Sequence, residues 1–444
     1  MRGRQRTRSG PGKELRRRIQ DRRARLGVLG LGQVGLSLAL AMAKAGFGVT
    51  GIDIDRKKVE SVNAGFSCVP DLPNETVLSL VGEGKLRATQ ALAVLRDLDA
   101  AGICVPTPLR KTKDPDLTYL VAAAEAIRNH LHSGQLILLE SATYPGATEE
   151  VLLPILEKSG LRVGEDFFLA YSHERATASG APAGSAAVAR VIGGITGECA
   201  DLAALLYRQL GDRVTQVSSP GTAEMIRLVE NIFSSVNTAL ANEVALVCQR
   251  FGIDVWEVIE AANTSNSARA VTFVPGPAAW TRSIAGDPCY LTWKAKMDGF
   301  EPRLIELAGQ INSQTAIFTA SRIMDALNER RKSVKGSRIL VLGVAHRRDA
   351  DDSRDSPAFE VLRQLRRRGA LVQYSDPYVP RLELGGEVLR SVEPTPELLR
   401  STDCVVVLLD HEGFDYGAIA AHSRLVLDGR NALKEFSGRH ILRL

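Results

Sequence analysis

Apolar positions fall into short runs and long stripes, and their order along the chain sets the expected architecture. Leu26-Gly27-Val28-Leu29 is a brief strand-like run. A glycine-rich turn over 30–35 separates it from a helical stripe over 36–45. A second strand is expected at 49–54, ending on acidic residues, and further strands at 101–105, 136–140 and 167–170, with helix-like segments between them. Short apolar strands alternating with helices at this spacing predict a doubly wound parallel sheet. Over 222–250 the pattern becomes one long amphipathic helix, and helical periodicity continues to Arg331, interrupted by a loop at 275–288. A second α/β region opens at 337–344. It has strands at 338–342, 371–374, 404–408 and 425–427 and helices such as 357–368 between them.

Composition changes this picture in one place. Apolar content of 45% and charged content of 24% suit a globular chain of 444 residues with several cores. The net charge is +5, but residues 1–25 alone carry eleven Arg or Lys against Glu14 and Asp21, a balance of +9 that leaves −4 for the rest. The basic character therefore belongs to a tail over 1–24, read as a disordered, solvated extension. Contact with an anionic surface is the alternative, but neither aromatic interleaving nor a nucleic-acid motif accompanies it. No apolar run is long enough to span a bilayer, and no signal-peptide pattern is present. Six cysteines without paired spacing point to reduced thiols in a cytoplasmic protein, with no disulfide frame and no metal site.

The glycine turn carries the first specific chemistry. Gly30, Gly32 and Gly35, with Gln33 and Val34 between them, follow a strand and open a helix, and Asp53 ends the next strand. Gly30 permits the tight turn, Gly32 lets the backbone approach a pyrophosphate, and Gly35 lets helix and strand pack closely. Asp53 accepts hydrogen bonds from ribose hydroxyls and repels a 2′-phosphate, which selects NAD as cofactor. The fold class is thus α/β. It comprises an N-terminal Rossmann-type parallel sheet over 25–221, a central helical domain with a functional loop over 222–335, and a C-terminal Rossmann-like α/β domain over 336–444.

Several further segments together resemble one family. The stretch from Pro275 to Lys294, PGPAAWTRSIAGDPCYLTWK, is similar to the PGPGVGGHCIPVDPYYLTWK-type loop of the nucleotide-sugar 6-dehydrogenases, the UDP-glucose and UDP-N-acetylhexosamine group. Glu140 to Gly146, ESATYPG, resembles the family's ESTTYPG, and YSHER at 171–175 resembles YSPER. EMIRLVEN at 224–231, GVAHRRDADDSRDSP at 343–357, Asp376-Pro377-Tyr378 and Asp428-Gly429-Arg430-Asn431 match other landmarks, so the resemblance runs from about residue 25 to 431. It implies an NAD-dependent oxidation at C6 of a nucleotide hexose, a homodimer sharing its sites, and no nucleic-acid or membrane partner. Thr107, within VPTPL at 105–109, is implied beside the nicotinamide half, and Arg269, Lys294 and Arg354 are implied as substrate ligands.

The same resemblance exposes the departures. Ser283 stands where the family has its cysteine nucleophile, Arg227 where it has a lysine, and Ala142 where it has a threonine that helps place the hydrolytic water. Glu174, Asn231 and Asp287 are retained. A hydroxyl needs an adjacent base to become a nucleophile, whereas a thiol ionises near pH 8.5. Arginine keeps the lysine's charge but cannot shuttle a proton. The expected function is an NAD-dependent oxidoreductase acting at C6 of a UDP- or dTDP-hexose with partial or altered chemistry. The alternatives are full four-electron oxidation to a uronate and a silent nucleotide-sugar binder. Cys289, as a relocated nucleophile, and His173, as a new acid or base, are the candidate compensations.

Overall fold

Alternating apolar runs become the strands of a sheet because each is long enough for one pass and buried on both faces. The computed structural model describes residues 10–443 except 70–71, 111, 113, 176–188, 264–274, 277–281, 352 and 354–355, and the backbone alone of 175, 263 and 282–285. It divides into two units. The first holds the described residues up to Glu230 with Cys289–Asp298, the second Asn231–Pro288 with those from Gly299 on.

In the first unit the chain runs α1 (Pro11–Gln20), β1 (Arg25–Leu29), α2 (Gln33–Lys44), β2 (Gly48–Ile52), α3 (Arg56–Asn63), α4 (Asn74–Gly82), β3 (Leu86–Thr89), β4 (Ala100–Ile103) and α5 (Thr118–Arg128). It continues through β5 (Leu136–Leu139), α6 (Leu153–Glu157), β6 (Phe168–Arg175), β7 (Ala189–Gly194), α7 (Gly197–Gln209) and β8 (Arg213–Val217). The sheet order is β3-β2-β1-β4-β5-β6-β7-β8. The order reverses between β1 and β4, which opens a crevice past the carboxyl ends of the strands. All pairs are parallel except β6 with β7, which are antiparallel. Leu136, Ile137, Leu138, Leu139 and Leu169 are fully buried, which places the core on both faces of the sheet.

The tail expected to be disordered over 1–24 is corrected from residue 11 onward. Pro11–Gln20 is helical, with Leu15 and Ile19 buried four residues apart on one face. Burying two such side chains contributes about 3–6 kcal/mol before entropy. Three of the basic residues that suggested a solvated run are paired: Arg17 and Arg18 with Glu14, Arg18 also with Asp99 at 2.6 Å, and Arg16 with Glu198.

A 32-residue helix, α8 (Pro220–Phe251), leads out of the first unit and into the second. There follow α9 (Val255–Asn263), α10 (Arg282–Met297) and α11 (Arg303–Glu329). The loop expected over 275–288 is shorter than its proline and glycine content suggested, because α10 begins at Arg282 and continues through Gly286 and Pro288. Packing of its later turns outweighs the lost backbone bond at Pro288. In the first unit the Tyr290 hydroxyl donates to the Thr107 carbonyl, Trp293 lies 5.1 Å from the Tyr144 ring and Lys294 meets Glu150.

The second unit's sheet is built from β9 (Arg338–Leu342), α12 (Ala358–Arg367), β10 (Leu371–Ser375), a hairpin of β11 (Arg381–Leu384) and β12 (Glu387–Arg390), α13 (Pro396–Ser401), β13 (Cys404–Val407), α14 (Tyr416–His422), β14 (Val426–Asp428) and β15 (Ile441–Arg443). Its five parallel strands order as β10-β9-β13-β14-β15. Burial of Asp376 just past β10 pushes its carboxyl up, but His411 and the backbone amides of Tyr378 and Ala345 outweigh this and hold it below the usual carboxylate range.

Candidate functional site

The three glycines after β1 have different reasons to be glycine. Gly30 has φ of +94°, and a β-carbon there would lie 2.5 Å from the Cys104 carbonyl oxygen. A β-carbon on Gly35 would sit 1.8 Å from the Gly30 carbonyl oxygen. Both are forced by the protein's own backbone. Gly32 is not: it caps α2 in an extended conformation, and a β-carbon there would meet nothing within 4 Å. The Gly32 cap gives the first turn of α2 no side-chain hydrogen bond. The amides and the positive end of a helix's first turn form a cradle for a phosphate.

Asp53 follows β2 and is buried beside this turn. Its Oδ2 accepts the Leu31 N–H at 2.7 Å and its Oδ1 accepts the Asp55 N–H at 2.8 Å, with Lys58 Nζ at 3.5 Å from Oδ2. Oδ1, with a single donor, has capacity for a second, which fits the ribose role expected of the carboxylate. Gln33 and the 54%-exposed Val34 form the first turn of α2. Thr107 lies past β4, where its hydroxyl donates to the Ala142 carbonyl at 2.7 Å. Cys104, beside them, has its thiol pushed well above the ordinary range by burial, which removes it as a nucleophile. These residues fit a dinucleotide laid across the crevice.

The residues expected to act on substrate lie on β6, α8 and α10. Glu174 is near the end of β6, directly opposite Arg190 on β7, and its carboxylate lies 3.2 Å from the Arg190 guanidinium. His173, its neighbour, faces Glu230 at 3.6 Å. Glu224, buried on the first turns of α8, accepts the Thr148 N–H and hydroxyl and the Gly146 N–H, fixing the TYPG turn. Burial raises its pKa. Arg227 is half-buried one turn later.

Asn231 and Asp287 are brought together: the Asn231 amide donates to Asp287 Oδ2, and Asp287 is 3% exposed. Ser283 occupies the first turn of α10, four residues before Asp287, so the two backbone positions share a helix face. Cys289 lies six residues after Ser283, about 120° around the axis, so the helix does not put it on that face. Lys294 is committed to Glu150 at 2.8 Å, and a ligand role requires it to leave that ion pair. Arg269 and Arg354 lie outside the described residues.

One cluster was missed. Arg190 is 4% exposed and binds Glu140, Asp212, Glu174 and Ser172, with its guanidinium 4.1 Å from the Tyr207 ring. Burial pushes the Glu140 carboxyl up to about 7, against the pull of Arg190. The signal was a lone arginine heading the apolar run Val191-Ile192.

Comparison with known proteins identifies the family. Three domain models of the UDP-glucose/GDP-mannose dehydrogenase family match: the NAD binding domain over 24–211, the central domain over 221–314 and the UDP binding domain over 340–435. The chain is 33% identical over 420 residues to UDP-N-acetyl-D-mannosamine dehydrogenase of Pyrococcus horikoshii, covering 93% of this chain and 96% of the relative. It is 34% identical over 357 residues to UDP-N-acetyl-D-glucosamine 6-dehydrogenase of Pseudomonas aeruginosa, covering 80% and 83%. The solved structure of the Pyrococcus horikoshii enzyme superposes with a TM-score of 0.84 at 32% identity, over 94% of this chain and 98% of that one. The chain therefore belongs to the UDP-glucose/GDP-mannose dehydrogenase family, with NAD as its cofactor.

Proposed function

We propose that this protein oxidises C6 of a UDP-linked hexose or N-acetylhexosamine, with the later part of the reaction altered by Ser283. The match of residues 340–435 to a UDP binding domain favours uridine over thymidine. The names of the relatives favour an N-acetylhexosamine. The observation that carries the reading is the Asn231–Asp287 pair, with Ser283 one turn ahead of Asp287 on α10. The first oxidation converts the C6 alcohol to an aldehyde with loss of a hydride and a proton, and NAD supplies the hydride acceptor.

The amide of Asn231 is oriented by Asp287 and carries a second N–H for the developing oxygen charge. Arg227, one turn before Asn231, adds a fixed positive charge. Capture of the aldehyde at Ser283 requires the hydroxyl to lose its proton, and Asp287 is the nearest carboxylate along the helix. An ester formed there hydrolyses less readily than a thioester. Position 142, an alanine, offers no hydroxyl to place water, so we assign a reaction weighted to its first two-electron step.

We further propose a homodimer through α8, where Phe233, Leu240 and Val247 repeat every seven residues at 59%, 47% and 46% exposure. The six free thiols suit a reducing compartment, and we place the protein in the cytoplasm.

The test is Ser283→Cys with NAD and UDP-N-acetylhexosamines. Gain of uronate at two NADH per sugar is expected. A variant that binds both ligands and forms no NADH contradicts the proposal and leaves a silent binder.

A further inference from the structure

We propose that Arg190 is a positioning residue for this reaction: locked from behind by Glu140, Asp212 and the Tyr207 ring, it presents one fixed edge that holds the Glu174 carboxylate in place. The inference rests on the reading above, oxidation at C6, and on Glu174 as one of the residues expected to act on that substrate.

β6 runs parallel to β5 over 168–171 and extends beyond it, so Glu174 stands past the carboxyl end of β5, where open α/β sheets bind ligands. The antiparallel β7 then returns alongside, and register puts Arg190 opposite Glu174. Three faces of the guanidinium are occupied away from that carboxylate. Nε donates to Asp212 Oδ2 at 2.7 Å, and Nη1 donates to Glu140 Oε2 at 3.0 Å and to Ser172 Oγ at 3.1 Å. The Tyr207 ring lies 4.1 Å from the guanidinium carbon, and its hydroxyl donates to Glu140. Only Nη2 reaches outward, to Glu174 Oε2 at 3.2 Å. The Arg190 side chain is 4% exposed and that of Glu174 54%. A rigid buried fork thus grips a carboxylate that is otherwise half in solvent.

Stability alone does not account for this arrangement. A half-exposed ion pair contributes little, and burying a guanidinium among carboxylates stabilises less than apolar packing of the same volume. What the arrangement supplies is geometry, because a planar fork fixes several acceptors at once and an ammonium does not. Glu140, Glu174 and Asp212 outnumber the single cation, and the burial that favours a proton on Glu140 near neutral pH eases that imbalance. Burial holds the Cys104 thiol well above its ordinary range, so it stays protonated and adds no charge.

The experiment compares wild type, Arg190→Lys, Glu174→Gln and the double variant, all as the full chain with saturating NAD and a UDP-N-acetylhexosamine. Arg190→Lys is expected to lower kcat by roughly tenfold to a hundredfold with KM for the sugar nucleotide within about twofold, and to add no further loss in the Glu174→Gln background. An equal loss in both backgrounds, or a change confined to KM, overturns the proposal. Should Arg190→Lys not fold, Asp212→Asn frees the rear of the guanidinium while keeping its charge and is read the same way. If wild type turns over no nucleotide hexose, the dehydrogenase reading fails separately. Crystal structures then decide the positioning claim: a Glu174 carboxylate that swings away in Arg190→Lys supports it, and one that stays in place overturns it.

Discussion

Replacing Gly32 by alanine separates two jobs that glycines do in the turn after β1. A methyl at position 32 meets no protein atom within 4 Å, and φ −81° with ψ −167° suits any L-residue. The fold is therefore expected to keep its stability, or gain about 0.4–1 kcal/mol from a stiffer unfolded chain. The same methyl occupies the open side of the α2 N-terminus. A phosphate oxygen sits about 2.9 Å from an N–H donor but needs about 3.5 Å from a carbon. Displacing it loses one or two charge-assisted bonds of about 1.5–3 kcal/mol each, at least about tenfold in the NAD dissociation constant. Gly35→Ala is the contrast, since its methyl would stand 1.8 Å from the Gly30 carbonyl oxygen and must destabilise the fold itself. Calorimetric titration with NAD and denaturant unfolding without it read the two effects. A Gly32→Ala protein that binds NAD within about twofold of wild type refutes the claim that the cofactor approaches the backbone there.

Two other outcomes follow from the same structure. The Glu140 carboxyl is raised from 4.5 to about 7 in the fold. Its contribution is therefore fully present below about pH 4.5 and is lost as pH rises toward 7, a change of order 3 kcal/mol. Glu140→Gln should gain on wild type in urea unfolding between pH 5 and 8, and a difference that stays flat across that range contradicts the assignment. On α8, Phe233→Asp is expected to leave the subunit's fold intact within about 0.5 kcal/mol. Sedimentation of wild type should show the proposed dimer and of the variant a monomer, whereas a variant that stays dimeric moves the interface elsewhere.

Much of the fold was legible because both sheets are built from short apolar runs with glycine turns between them. Strand β9 was expected over 338–342 and is found there, and α12 lies within one residue of its expected ends. The sequence reading has no strand at β3, β7 or β8 in the first sheet, nor at β11, β12 or β15 in the second unit. β8 is largely solvated and shows no apolar run, and β7 begins with Ala189-Arg190, whose charge disguises a buried strand. Helix α1 was hidden by its arginines, which outnumber the two residues, Leu15 and Ile19, that anchor it. The start of α10 was hidden by Gly286 and Pro288, which signal a loop locally and are overruled by packing of Tyr290 and Trp293.

At the site, the glycine turn and Asp53 were readable from spacing alone, because strand, turn and helix are contiguous. Asn231 and Asp287 were named singly, but their hydrogen bond joins residues 56 apart in sequence and only the fold brings them together. The Arg190 cluster draws Glu140, Ser172, Glu174, Asp212 and Tyr207 from four other elements or their ends, and no local pattern encodes it.

The most direct test of the central claim is the count of NADH formed per nucleotide sugar by the wild-type protein. Excess NAD and a panel of UDP-hexoses and UDP-N-acetylhexosamines are used, with mass spectrometry of the products. One NADH with a C6 aldehyde is the predicted result. Two NADH with a uronate would contradict the altered chemistry assigned to Ser283, and measurable binding without NADH would contradict oxidation at C6 altogether.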